Sequence, residues 1–195
     1  MDSLWSPCWC WESTIPSFIC DEIVKRYKDQ SLFINGDISS NVDPKGIRKS
    51  DVVFIDEQWI NSLMYGYICA ANSMNFKYEL STSDKERCQF TRYAKSDYYG
   101  THCDFDPSRN SVFHTRKLSA TLQLCDGDEY GGGDLLIDMS AYERDANDNS
   151  EFNRMIRSKG SIVVFDSRMP HEVIPITHGT RYSLVKWVHG DTPLK

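Results

Sequence analysis

The chain has 195 residues, 40% of them hydrophobic and 26% charged, with a formal net charge of −6 at neutral pH. That length and apolar content suffice for one domain over 1–195 with a substantial core. The negative charge excludes a general basic face for phosphate backbones and disfavours nucleic acid, with only a local cluster of Arg109, Arg116 and Lys117 to set against it. No apolar run reaches the roughly eighteen residues a spanning helix needs, so no membrane partner is expected.

Asp2 is followed by no basic stretch leading into an apolar one, which predicts no signal peptide and a cytoplasmic monomer. Seven cysteines at irregular spacing then fit free thiols in a reducing compartment better than a disulfide framework. Cys8-Trp9-Cys10 lacks the second Cys/His pair that a zinc finger requires.

Taken in order, Trp5, Trp9 and Trp11 around Pro7 predict an extended segment laid on the body of the protein. From Pro16-Ser17 to about Lys28, Phe18, Ile23, Val24 and Tyr27 recur near helical spacing, with acids early and bases late, as the helix dipole prefers. Residues 31–51 are polar and contain Gly36, Pro44 and Gly46, which predicts a long loop, either a lid or surface filler. A second helix is expected from about Asp56 to Asn72, its buried stripe made by Trp59, Leu63, Tyr67 and Ala71.

After Asn75 the pattern changes to short apolar or β-branched runs separated by Gly, Asp and Ser, as in an all-β sandwich or barrel. The expected strands are 88–94, 98–105, 117–124, 134–138, 160–166, 171–176 and 181–188. Between them Asp126-Gly-Asp-Glu-Tyr130-Gly-Gly-Gly-Asp134 is expected to turn, and its acids lack the spacing of a calcium loop. Residues 139–158 are charged and irregular and predict a solvated insertion.

The chemistry-bearing stretch is Tyr98-Tyr99-Gly100-Thr101-His102-Cys103-Asp104. On a strand alternate side chains share a face, so His102 and Asp104 project together. The pair alone is weak, since a strand histidine satisfied by a neighbouring carboxylate is common. His171, where one apolar run turns into another, supplies a third ligand and completes two imidazoles and one carboxylate, the set of non-haem Fe(II) oxygenases. Ten residues on, Arg181 begins the last strand-like run with Ser183 on the same face, and its guanidinium suits a carboxylate. His114, His178 and His189 are expected to be turn residues rather than ligands. A hydrolytic zinc site also uses His/His/carboxylate, but has no need of Arg181.

In family order, the chain carries Gln89-Phe-Thr-Arg-Tyr93, Tyr99-Gly-Thr-His102-Cys-Asp104, Leu118-Ser-Ala-Thr-Leu122 and Tyr130-Gly-Gly-Gly-Asp-Leu135. Gly160-Ser-Ile-Val-Val-Phe165, His171-Glu-Val-Ile-Pro175 and Gly179-Thr-Arg181-Tyr-Ser183 follow. With these blocks the chain resembles the Fe(II)- and 2-oxoglutarate-dependent oxygenases of prolyl-hydroxylase type, in particular PKHD-type hydroxylases, and its compact layout is similar to oxygenases found in phage genomes.

The resemblance covers about 89–190 well; 1–88, taken as an N-terminal segment with covering helices, matches only around Arg48-Lys-Ser50 and the helix after it. It implies a mainly β fold with flanking helices, the distorted double-stranded β-helix or cupin-like jelly roll. It also implies Fe(II) on His102, Asp104 and His171, the far carboxylate of 2-oxoglutarate on Arg181, and Tyr93 and Ser183 facing that cosubstrate. Where many animal prolyl hydroxylases place a tyrosine, this chain has Leu122-Gln123, so Gln123 or Tyr93 is expected to take that task.

The implied reaction consumes O2 and 2-oxoglutarate, with L-ascorbate as a candidate reductant, and hydroxylates a C–H bond with release of succinate and carbon dioxide. The expected substrate is a prolyl or other peptidyl residue of a peptide or protein. A free amino acid or small metabolite comes next, and a binding module without turnover is the alternative of a different class. If phage-encoded, the protein would work in the host cytoplasm.

Overall fold

The structure, a computed structural model, describes residues 6–35, 46–81, 86–105, 116–139 and 152–190. In chain order the N-terminal part carries β1 (Cys8–Trp11), α1 (Ser17–Tyr27), β2 (Ile34–Asn35), β3 (Arg48–Lys49), β4 (Asp51–Ile55) and α2 (Gln58–Ala71). There follow β5 (Cys88–Tyr93), β6 (Tyr98–His102), β7 (Arg116–Gln123), β8 (Tyr130–Gly132) and β9 (Leu135–Asp138). The chain closes with β10 (Phe152–Arg154), β11 (Ile162–Asp166), β12 (His171–Val173), β13 (Ile176–Gly179) and β14 (Arg181–His189).

The strands form a seven-stranded sheet in the order β1-β11-β7-β14-β5-β4-β2, a five-stranded sheet β10-β9-β12-β6-β3, and the pair β13-β8. Period-two alternation explains how the large sheet serves two purposes. On β7, Leu118, Ala120 and Leu122 join Ile60, Met64 and Ile68 of α2 in one core, while Ser119, Thr121 and Gln123 point the other way. On β14, Leu184 and Val188 face the helices, and Arg181 and Ser183 share the opposite face. A second core, built from Tyr93, Leu135, Ile137, Phe165, Val173 and Ile176, lies between the sheets. The polar inner face of β7 and β14 is therefore buried against the small sheet, which is the expected jelly-roll arrangement.

Both helices fall where their periodicity places them, but their buried faces differ from expectation. Of the expected stripe Ala71 is fully buried; the rest of the buried face of α2 is Ile60, Met64 and Ile68, one residue along from Trp59, Leu63 and Tyr67. Trp59 is 41% exposed and donates to Glu57, and the Tyr67 hydroxyl bonds to Thr14. The helix is apolar nearly all round, so the aromatic residues with polar tips take the flank and the aliphatic ones the core. On α1, Cys20 and Ile23 are buried and Phe18 is exposed.

Four other expectations need correction. The polar region 31–51 contains β2 and β3, and β4 begins at its end, while 36–45, the heart of the expected lid, lies outside the described residues. The stretch 126–134 starts as the expected turn, with Glu129 N donating to Asp126 O at 3.1 Å, but Tyr130–Gly132 within it is strand β8, paired with β13. Arg116 and Lys117 are buried and form no basic surface, and Arg109 lies outside the described residues. Of the expected solvated insertion, Met155 packs into the inter-sheet core and Arg157 bonds Asp134, while 140–151 lie outside the described residues. All seven cysteines are free, as expected.

One turn ties the N-terminal segment to the sheet. Gly160 has φ +80, donates to Gln123 O at 2.8 Å and accepts from Ile15 N at 3.0 Å. A Cβ there would stand 2.1 Å from Ile15 O. Gly160→Ala is expected to cost at least ~2 kcal/mol from left-handed backbone and the clash, which at ~2–4 °C per kcal/mol lowers the melting temperature by about 4–8 °C. Thermal unfolding followed by circular dichroism checks this, and an unshifted melt would mean the segment has another way to seat.

Candidate metal centre and its anion pocket

His102 ends β6, Asp104 follows two residues later, and His171 begins β12, directly opposite His102 in the antiparallel pair. Their ligating atoms all lie within 4.8 Å of one another. Asp104 Oδ1 is 3.8 Å from His102 Nε2, and Oδ2 is 3.5 Å from His171 Nε2.

Backbone carbonyls set both imidazoles. His102 Nδ1 donates to Gly100 O at 2.9 Å, and His171 Nδ1 donates to Met169 O at 2.9 Å. In the neutral ring this leaves the Nε2 lone pair aimed at Asp104 and the position a metal would take. Burial, reinforced by the neighbouring His171, pushes the His102 pKa well down and keeps the ring neutral. For Asp104 burial acts upward, yet the two imidazoles, Arg116 and the Ser119 hydroxyl outweigh it and hold the carboxylate ionised. Ser119 Oγ donates to Asp104 Oδ2 at 2.7 Å and lies 2.9 Å from Ser167 Oγ. Arg116 Nη1 lies 3.9 Å from Oδ1, its other nitrogens gripping Glu86 at 2.6 and 2.9 Å and its guanidinium resting 4.0 Å over Trp187.

On the open side of His102, Tyr99 stacks on the imidazole with centroids 3.5 Å apart. Arg48 lies 4.8 Å from the Tyr99 ring and donates to Ser50 Oγ at 2.7 Å. These two, with Ser119, Arg116 and Tyr130, are the site residues that sequence reading did not single out. Arg48, Tyr99, Ser119 and Tyr130 stand in blocks of the resemblance that carried no role for them, and Arg116 in the expected basic cluster.

The expected cosubstrate residues meet on the large sheet. In the β14 ladders Arg181 stands opposite Tyr93, and Ser183 stands opposite Gln123. Arg181 is 2% exposed, lies 5.5 Å from the centre of the Tyr93 ring and contacts Ser183 Oγ at 3.5 Å. Its Nε has no hydrogen-bond partner, and among the described residues no carboxylate pairs with it. A buried, uncompensated cation calls for an anionic ligand. The cavity it lines is shared with Thr121, Gln123, Tyr130, Leu135, Met155, Arg157 and Val163.

His178 is exposed, as expected, but on β13 rather than in a turn. His189 is buried at the end of β14, 3.3 Å from Glu86, and is no turn residue. His114 lies outside the described residues.

A two-sheet jelly roll presenting two imidazoles and one carboxylate that could hold a metal ion defines the cupin-like class. The family is set by the sequence: the model of the 2OG-Fe(II) oxygenase superfamily matches residues 88–189, and the chain belongs to that superfamily. A PKHD-type hydroxylase of Klebsiella pneumoniae is 33% identical over 103 residues, which is 52% of this chain and 42% of that relative. The chain thus matches less than half the length of this curated relative.

A prolyl-4-hydroxylase from Pseudomonas putida superposes with a TM-score of 0.71 at 21% identity, covering 95% of this chain and 94% of its own. A Trichoplax adhaerens prolyl hydroxylase, solved with a hypoxia inducible factor peptide fragment, gives a TM-score of 0.71 at 19% identity, covering 95% and 84%.

Proposed function

We propose that the protein is an Fe(II)- and 2-oxoglutarate-dependent dioxygenase that hydroxylates a C–H bond of a prolyl or other peptidyl residue, releasing succinate and carbon dioxide. The observation that carries the reading is the conjunction of two half-sites. A two-histidine, one-carboxylate cluster stands at the small sheet, and a buried arginine without an anionic partner stands on the large one. The donor set fits Fe(II), and the orphaned guanidinium fits a dicarboxylate.

Bound at His102, Asp104 and His171, Fe(II) with the keto acid would supply oxygen activation that no side chain can perform. The chain's own residues bind and orient. Arg181 takes the far carboxylate, in a cavity that Thr121, Leu135 and Val163 help to line. The Gly100 and Met169 carbonyls hold the Nδ1 protons, and Ser119 fixes the Asp104 oxygen it donates to. Ser119→Ala is therefore expected to weaken Fe(II) binding about tenfold to a hundredfold with an intact fold. Anaerobic metal titration reads this, and unaltered affinity would remove Ser119 from the iron site.

A peptide reading draws on the cation–aromatic pair of Arg48, itself only 9% exposed, and Tyr99 beside His102, on the two strands that end the small sheet. The likeness in fold to prolyl hydroxylases, one with a bound peptide, points the same way. The test is succinate release and oxygen uptake with Fe(II) against proline-containing peptides, free amino acids and alkylated oligonucleotides. Turnover of a free amino acid alone would replace the peptide reading. Binding of 2-oxoglutarate without oxygen uptake on any substrate would make the chain a binding module. Zinc retained after anaerobic reconstitution, with no succinate formed, would make it a hydrolytic site.

A further inference from the structure

Tyr130 stands on the short strand β8, is 2% exposed, and lines the same cavity as Arg181. Its hydroxyl oxygen accepts from Gln123 Nε2 at 2.7 Å. The orientation of that amide follows from Cys125. The thiol donates to Tyr182 O at 3.7 Å, so its sulfur accepts from Tyr182 N at 3.2 Å and from Gln123 Nε2 at 3.8 Å. Gln123 therefore turns its NH2 toward both Cys125 and Tyr130. Arg181 faces the same phenol oxygen. Burial, the larger influence, raises the phenol pKa, and the guanidinium pulls against it.

A phenol oxygen accepts two hydrogen bonds and donates one. Here the protein surrounds it with donors, and among the described residues nothing accepts its proton. Among the described residues no aspartate or glutamate lines the cavity, where Arg181 Nε is also unsatisfied. Two buried donors, one charged and one neutral, thus converge on a space that offers them no acid. The ring itself is clamped. The Arg157 guanidinium lies 4.5 Å from its centre and is held by Asp134 Oδ1 at 2.8 Å, Gly127 O at 2.6 Å and the Tyr130 carbonyl at 2.8 Å.

We propose that Tyr130 is a cosubstrate-contacting residue whose O–H shares the far carboxylate of 2-oxoglutarate with Arg181, with Gln123 and Arg157 as the positioning residues that hold it. The inference rests on the proposal that Arg181 takes that carboxylate. It reassigns Gln123 from a direct contact, as expected from sequence, to one acting through Tyr130.

The experiment measures binding to the Fe(II)-loaded protein under nitrogen of 2-oxoglutarate and of 2-oxopentanoate, which keeps the metal-binding end and lacks the far carboxylate. Tyr130→Phe removes one oxygen and keeps the ring under Arg157. It is expected to weaken 2-oxoglutarate about tenfold to a hundredfold, the strength of a hydrogen bond to a charge, and to leave 2-oxopentanoate and Fe(II) binding unchanged. A merely structural tyrosine would weaken both keto acids alike, and an unchanged ratio between them would overturn the proposal. Gln123→Leu keeps the phenol but frees it, and should narrow the same ratio in the wild-type background and not in Tyr130→Phe. It carries the test alone if Tyr130→Phe loses its fold; no narrowing there would count against the proposal. Arg181→Ala separates the two levels. If it abolishes the preference for the dicarboxylate and Tyr130→Phe does not, only the role of Tyr130 fails. If Arg181→Ala also leaves the preference intact, the carboxylate lies elsewhere and the cosubstrate reading fails with it.

Discussion

Replacing His102, Asp104 or His171 by alanine is expected to reduce Fe(II)-dependent succinate release below about one thousandth of wild type, a loss of ~4 kcal/mol or more in transition-state stabilisation. Each residue offers one atom to a cluster whose members lie within 4.8 Å, and no other His, Cys or carboxylate among the described residues joins that cluster. The loss of any one leaves a two-point site that cannot fix the orientation of what it holds. Asp104→Glu should fail nearly as badly. One added methylene displaces an oxygen that is now set by Ser119 at 2.7 Å, and functional constellations tolerate only about 0.5 Å.

The fold should survive, because the surrounding contacts do not pass through the ligands. Glu86 still grips Arg116 when Asp104 is removed, and Phe165 remains in its core when His171 goes. Melting temperatures within about 2–4 °C of wild type, the equivalent of ~1 kcal/mol, together with lost Fe(II) binding, would bear this out. A variant with near wild-type succinate formation would remove that residue from the metal set.

Where the sequence could be read, the reason was local periodicity. The alternation of Leu118-Ser-Ala-Thr-Leu122-Gln123 places apolar residues against the helices and polar ones toward the site, and the structure follows it residue by residue. The pairing of His102 with Asp104 as candidate ligands was legible because a two-residue spacing on a strand needs no tertiary knowledge, and Arg181 and Ser183 follow the same rule. What stayed hidden depends on partners far away in the chain. Strands β8 and β13, of three and four residues, exist because they pair with each other, and nothing in their own composition shows it. Tyr130 sat before a run of glycines and looked like part of a turn. Arg116 looked solvent-exposed because Glu86, 30 positions earlier, is its partner only in space. His189 was misread for the same cause. The carbonyls that set the two imidazoles come from backbone curls at Gly100 and Met169, which side-chain identity does not encode.

Arg181→Ala is expected to separate binding from stability in a way few substitutions do. The guanidinium is 2% exposed, its Nε has no partner, and its hydrogen bond to Ser183 Oγ is long, at 3.5 Å. Without ligand, then, the protein bears the desolvation of a cation with little to offset it. Removing that charge should leave the ligand-free melting temperature unchanged or raised, as is common where a site is kept strained for function. The cost appears on binding. A dicarboxylate whose far end loses its charged partner in a buried pocket should bind ~2–5 kcal/mol less tightly, about thirty- to several-thousandfold at 1.4 kcal/mol per decade.

Arg181→Lys should recover only part of this, because one ammonium cannot make two parallel hydrogen bonds from a planar fork. Fe(II) affinity should hold in both variants, since neither touches His102, Asp104 or His171. Two measurements decide the matter. Titration of the Fe(II)·2-oxoglutarate absorbance under nitrogen gives the affinity. Thermal melts with and without 2-oxoglutarate give the linkage, in which saturation at a hundred times Kd stabilises wild type by ~2.7 kcal/mol and a variant that no longer binds gains nothing. A ligand-induced shift in Arg181→Ala equal to that of wild type would place the carboxylate away from β14 and leave its buried cation without a function.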